Sequence, residues 1–311
     1  MTDWQQVTSN SSGYTSGLMV NDGTAAVQQK LIVGTALTGL IRGEWTQARF
    51  GQVIPTNWGW VQMWQFMAPG SFMPLGYQVD DAQNLICAQA MTDDYEWMLL
   101  YEHDVIPRPD ALVRLAEYMK RKDTPVVSGL YFTRSIPSEP LIYRGRGTLA
   151  YEDFDIGDMV WADGVPTGFL LIHMSIIRAM WEESEPYMIG NIEARRVFET
   201  PSKAWFDPES AQFNTQAGTS DLAWCDRVMK DGFFTKAGWP EYQEMDYPFL
   251  VDTKIACMHI NNTLIGEQFP PGGIHEYWRT VREGRGEMEP GPPALGVSVA
   301  DGVGIGEKIG G

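Results

Sequence analysis

The stretch WMLLYEHDVIPRPDALVRLAEYM, Trp97 to Met119, leaves few architectures open. Five largely apolar residues, too few for a helix, read as a strand buried on both faces. Pro109 and Asp110 then supply the proline and the acid favoured at a helix start. Leu112, Leu115, Ala116 and Met119 recur at helical spacing, and Lys120, Arg121 and Lys122 suit the far end of the helix dipole. A fully buried strand that leads into an amphipathic helix is the repeating unit of an α/β sheet. Between the two stands Glu102-His103-Asp104. Burying unpaired charge costs several kcal/mol, so these groups require a partner, a metal or a wet cleft.

The same alternation runs along much of the chain. KLIVGTAL (30–37) reads as a first strand, QVIPTNW (52–58) as a second candidate, and DDAQNLICAQAM as a helix with Ala82, Leu85, Ile86 and Ala90 on one stripe. PVVSGLYF is a further strand, and PLIYRGRGTLAYE reads as a hairpin turning at 145–147. VPTGFLLIH feeds the short helix MSIIRAMWEE, and SDLAWCDRVMKDG is a helix closed by Gly232. FFTKAG and KIACMHI are expected as late strands. The fold class expected is α/β, a Rossmann-like mixed and mainly parallel sheet flanked by helices, with a β-rich second half. The expected organisation is a loosely ordered leader over 1–28, one domain over 29–262 and an extension over 263–283. A flexible Gly/Pro-rich tail covers 284–311. Within the domain, 182–218 has the irregular, aromatic profile of a functional loop.

With 23 basic and 40 acidic residues the formal charge is −17. Such a surface opposes general nucleic-acid binding. Cys87, Cys225 and Cys257 form no CxxC pair, which fits a reducing compartment better than a disulfide framework. The most apolar window, GFLLIHMSIIRAMW, is broken by His173, Ser175 and Arg178 and is too short to span a bilayer. The expectation is a cytoplasmic protein without stable membrane insertion.

Alternate residues of a strand share a face, so Glu102 and Asp104 are expected to point together and His103 away. At the carboxyl end of a strand in an open sheet, paired carboxylates are hard ligands for Mg²⁺ or Mn²⁺. Solvated strand-end acids are the plainer alternative. Asp221 opens the SDLAWCDRVMKDG helix, where it either satisfies first-turn N–H groups or acts as a general base at a cleft. His259, in ACMHIN, is either a hydrogen-bonded structural histidine or a ligand. The aromatic run NWGWVQMWQF is either core packing or a sugar-stacking platform.

Taken in order, the first strand, LLYEHDVIPRPDAL, VVSGLYFTR, GVPTGFLLIHMSIIRAM, TSDLAWCDRVMKDGF and CMHIN resemble the GT-A-fold glycosyltransferases. The likeness is to the family-2-like enzymes of bacteria and phages, over about residues 29–262. That resemblance implies a divalent cation, Mn²⁺ or Mg²⁺, held against a nucleotide diphosphate by Asp104, with Glu102 in the other DxD position and His259 completing the shell. It implies Asp221 as catalytic base, with Ser220 where the family usually has glutamate. It places Thr167 and Gly168 beside the sugar or acceptor and Asp163 against the donor. Thr35, Ala36 and Leu37 would hold base and ribose, and Asn84 stands where the family often has an Arg-Asn pair. The donor implied is a UDP- or GDP-sugar, the acceptor a glycan, a protein or a modified base. Two other classes stand beside it: a metal-dependent hydrolase built on Glu102, Asp104 and His259, and a non-catalytic, Trp-rich carbohydrate-binding or virion-associated protein in which the acid cluster is degenerate.

Overall fold

Side chains of the central strands alternate between two helix layers. The computed structural model describes residues 31–55, 58, 73–145, 150–207, 212–261 and 267–284, with 203–207 and 212–217 described as backbone. The elements run β1 (Leu31–Gly34), α1 (Gly43–Phe50), α2 (Val79–Thr92), β2 (Trp97–Tyr101), β3 (Val105–Pro107), α3 (Ala111–Arg121) and β4 (Val126–Leu130). Next come β5 (Met159–Ala162), β6 (Phe169–His173), α4 (Met174–Glu183), β7 (Pro186–Ile189), β8 (Ile192–Arg195), β9 (Ser202–Asp207) and β10 (Gln212–Ala217). The last are α5 (Ser220–Lys230), α6 (Phe233–Lys236), α7 (Pro240–Gln243), β11 (Phe249–Ile260), β12 (Gln268–Phe269) and α8 (Ile274–Gly284).

The main sheet has the order β1-β2-β6-β4-β11-β12, with β3 and β5 also paired to β11. Strands β1, β2, β4 and β11 share a direction, and β6 runs against both its neighbours. The result is a mixed α/β fold with a mainly parallel central sheet, Rossmann-like. Met98, Leu100, Leu170 and Ile172 face a core closed by α2, α4 and α5 through Ile86, Ile177 and Trp224. Trp97, Leu99, Phe169 and Leu171 face the other, closed by α1 and α3 through Trp45, Leu112, Leu115 and Met119. Strands buried on both sides therefore need no polar alternation, as the apolar runs already indicated.

β11 changes faces partway along. Asp252 pairs with Gly129 and Ala256 with Leu130, so 253–255 have no counterpart on β4. Phe249 and Val251 face the first core, whereas Ile255 and Cys257, at the same parity, face the second. Gly129 permits this crossing, since a Cβ there would meet the Ile255 carbonyl at 2.9 Å. Thr253 pins it: its N–H and its Oγ1 donate to the Asp158 carbonyl at 3.1 and 2.8 Å, and Oγ1 accepts from Gly157 N–H at 2.7 Å.

Several expectations need correction. Residues 52–55 form no strand; Val53 N–H instead donates to the Pro109 carbonyl at 2.7 Å. FFTKAG is helical, because Gly232 at φ 73° starts a turn that carries Phe233 and Phe234 into the core. Burial of both rings outweighs their strand preference. Residues 182–218 hold two hairpins, β7–β8 and β9–β10, rather than a featureless loop. The expected hairpin near 145–147 is reduced to one bridge, Tyr143 to Ala150, and 146–149 lie outside the described residues. Asp110 precedes α3 without a side-chain cap bond and pairs with Arg108 and Arg114. Residues 1–28, those after 284 and most of NWGWVQMWQF also lie outside the described residues. Among the described residues no helix is long and apolar enough to cross a membrane.

Candidate functional site

Because β1 and β2 are parallel, their carboxyl ends open on one edge of the sheet. Beyond β1 come Thr35 to Thr38, and beyond β2 the Glu102-His103-Asp104 turn. Glu102 N–H still donates to the Gly168 carbonyl at 2.8 Å, but Val105 N–H then folds back onto the Glu102 carbonyl at 3.3 Å. Strand alternation therefore stops at Glu102, and His103 does not point away as expected. Its Nδ1 lies 2.9 Å from the Ala36 carbonyl and its Nε2 3.0 Å from Thr38 Oγ1. Ala36, Leu37, Tyr77, Glu102, His103 and Asp104 line a cavity of about 190 Å³ at this edge.

Asp104 is 7% exposed. Its Oδ2 meets Arg134 Nη1 at 3.1 Å and His259 Nε2 at 3.5 Å, while its buried Oδ1 has no hydrogen-bond partner among the described residues. Burial pushes this carboxyl up, but His259, Arg134 and His103 together outweigh it and hold the pKa below its ordinary value. The backbone ties the two partners together, since Ile260 N–H donates to the Asp104 carbonyl at 2.7 Å. His259 Nδ1 sits 2.7 Å from the Phe132 carbonyl. A carbonyl can only accept, so Nδ1 carries the proton and Nε2 is presented to Asp104.

Glu102 behaves in the opposite way. Burial, then the charges of Asp104 and Asp221, push its pKa up to about 8. The Thr167 hydroxyl donates to Glu102 Oε1 at 3.2 Å, and Gln83 Nε2 donates to Thr167 Oγ1 at 2.9 Å. Gly168 N–H donates to the Tyr131 hydroxyl at 2.8 Å, and a Cβ at Gly168 would stand 2.3 Å from that oxygen. Burial raises the Tyr131 pKa well above normal, and Glu102, Asp221 and Asp104 raise it further. Asp221 sits in the first turn of α5 with Oδ1 accepting from Leu222 N–H at 2.8 Å, and burial raises its pKa. One region of the sheet edge thus feels three carboxyls, two from the turn after β2 and one from the start of α5.

The remaining expected residues are spread around this centre. Thr35 is fully buried at the end of β1, 3.4 Å from Arg49 Nη1, and Leu37 pairs with Leu75. Asp163 accepts Gly145 N–H at 2.8 Å and, with Gly218, Thr219 and Leu222, walls a second cavity of about 250 Å³ beside the start of α5. Asn84 stands apart. Its oxygen accepts from Val197 and Phe198, and its nitrogen donates to Tyr187 and the Phe198 carbonyl, so all its groups bind the β7–β8 region to α2. Arg134, His103, Tyr131 and Gln83 were not anticipated. His103, Tyr131 and Arg134 fall within the segments that carry the resemblance, but the resemblance gives none of them a role; Arg134 lies in a loop and Gln83 on helix α2.

Among the described residues, no group of three or more His, Cys, Asp or Glu side chains is arranged to hold a metal ion. Asp104 Oδ2 and His259 Nε2, 3.5 Å apart, are the two groups that face each other here. One carboxylate and one imidazole could supply two ligands to a divalent ion, whose remaining positions would fall to substrate phosphate and water. No protein-family model and no curated protein matches the chain. Among solved structures it is similar to the crystal structure of A197 from STIV, at 12% identity and a TM-score of 0.43. That match covers 75% of this chain and 87% of the other.

Proposed function

We propose that the chain is a metal-dependent glycosyltransferase of the GT-A type, with residues 29–262 as its catalytic domain. It would move a sugar from a UDP- or GDP-sugar to an acceptor hydroxyl with inversion. The observation that carries the reading is the approach of His259 to Asp104 at 3.5 Å, with Asp104 and Glu102 lining the cavity at the end of β1 and Asp221 near enough for its charge to raise the Glu102 pKa. Asp104 and His259 would hold Mn²⁺ or Mg²⁺, which supplies positive charge against the diphosphate as it departs. Ala36 and Leu37 line the cavity that would receive base and ribose. Gln83 turns the Thr167 hydroxyl onto Glu102 and so fixes that carboxyl's orientation. Asp221, whose burial makes it a stronger base than an exposed aspartate, would take the acceptor proton. The cavity walled by Gly218, Thr219 and Leu222 would admit the acceptor, with Asp163 on the side that would face the donor.

The acceptor class proposed is a glycan, a protein or a modified base, with the net charge of −17 weighing against the last. A cytoplasmic setting fits Cys87, Cys225 and Cys257, all buried in the core. The test is thermal unfolding with Mn²⁺ plus UDP, GDP or CDP, beside metal-free controls and Asp104→Ala. A ligand at one hundred times its dissociation constant stabilises by about 2.7 kcal/mol. A metal-dependent shift with one nucleotide, lost in the variant, is the expected result. No shift with any of them sinks the reading, and sugar or phosphate release without an acceptor would point to the hydrolase instead.

A further inference from the structure

We propose that Arg134 is an exchangeable counter-ion that competes with the divalent cation for Asp104 and then serves the diphosphate. The inference rests on the metal reading of Asp104 and His259. Its starting point is that Arg134 and His259 face the same carboxylate oxygen, Oδ2, at 3.1 and 3.5 Å. His259 Nε2 faces Oδ2, so an ion shared by the two side chains would approach that oxygen to about 2.0–2.1 Å. It therefore needs the place that the guanidinium covers.

Three features make the guanidinium the group that yields. Its contact is single-pronged, Nη1 to Oδ2, without the paired geometry that makes arginine–carboxylate bridges strong. Its side chain is 42% exposed, against 11% for both Asp104 and His259, so it can leave without opening the core. The loop that carries it is braced by its own hydrogen bonds, Thr133 N–H to the Glu139 carbonyl and Ser138 Oγ to the Ser135 carbonyl, both at 2.9 Å. Displacement therefore needs only side-chain rotation. A buried carboxylate without a counter-charge is costly, which explains why an arginine stands there at all. Once a divalent ion neutralises Asp104, the guanidinium is repelled by it and becomes a free cation at the cleft mouth. A nucleoside diphosphate arriving with the ion presents the anion that such a group recognises. Arg134 thus opposes the metal alone and favours metal and diphosphate together.

The test measures Mn²⁺ binding by the full chain through the spectroscopic signal of free Mn²⁺, without and then with UDP or GDP. Arg134→Ala should tighten Mn²⁺ binding in the absence of nucleotide by about five- to tenfold and weaken nucleoside diphosphate binding in saturating Mn²⁺ by a similar factor. Arg134→Lys, which keeps the charge, should restore most of both effects. Unchanged or weaker Mn²⁺ binding by Arg134→Ala, where the wild type binds the ion and Asp104→Ala does not, overturns this inference alone. No Mn²⁺ binding by any of these proteins overturns the metal reading and the inference with it.

Discussion

Two histidines close two strands of the same sheet, His173 at the end of β6 and His259 near the end of β11. From the sequence they look alike, since each ends an apolar run. Strand direction separates them. β6 runs against its neighbours, with His173 opposite Trp97 at the start of β2, so it emerges at the edge away from the site. There Nδ1 accepts from Ser175 N–H at the start of α4, and the ring packs edge-on to Trp97 and Trp239. Burial pushes its pKa down to about 4; Lys122 and Arg178 help, and Glu96 opposes. His259 ends at the opposite edge, beside β3, with Asp104 before it. A histidine at a strand end thus meets a helix start or a buried carboxylate according to which edge the strand delivers it to.

The sharpest way to break this distinction is at the helix starts. Asp221→Asn should lower turnover by about 10²–10⁴-fold. Ser175→Ala, the matched change beside His173, should leave turnover intact and lower stability by about 1 kcal/mol in urea. Comparable losses of turnover would erase the difference between the edges. Next in size, His259→Ala should weaken Mn²⁺ binding in the presence of nucleotide by about 10–100-fold, whereas His173→Ala should leave it unchanged. Calorimetric titration separates the two.

The two ends of β6 offer a third comparison. Gly168→Ala, at the site edge, forces a methyl against Tyr131 and should destabilise by about 1–3 kcal/mol; denaturant midpoints within error of wild type would show that Tyr131 can move aside. The smallest effect is a pH dependence at the other end. Since the pKa of His173 falls from 6.5 unfolded to about 4 folded, the native state favours the neutral ring. Its contribution to stability should be complete above about pH 6.5 and be lost progressively as pH falls towards about 4. His173→Gln should flatten that part of the unfolding curve, and a curve of unchanged steepness would refute the assignment.

Most of the sheet was legible because its strands are buried on both sides and its helices carry regular stripes. The run Trp97 to Met119 fixed β2 and α3, and MSIIRAMWEE coincides with α4. What stayed hidden was decided by tertiary contact. Phe233 and Phe234 look strand-like until the turn at Gly232 buries them in a helix. β5, MVWA, is too short to stand out before it pairs with β11. In the site, Glu102, Asp104, Asp221 and His259 could be singled out by type and by place along the chain. Arg134 could not, because nothing local distinguishes an arginine in a loop until Asp104 is folded beneath it. The inward turn of His103 also depends on a chain reversal that strand alternation does not contain.

The register break in β11 reaches further than the strand itself. An odd number of residues, 253 to 255, is inserted between two paired positions, so Ile255 and Cys257 turn to the layer opposite Phe249 and Val251. His259 meets Asp104 only on that side. Removing one of those three residues would leave composition, charge and core hydrophobicity nearly untouched, yet it would send the imidazole into the opposite layer. The segment works as a parity bit for the site, and its setting is guarded by Thr253 and Gly129, neither of which approaches the chemistry.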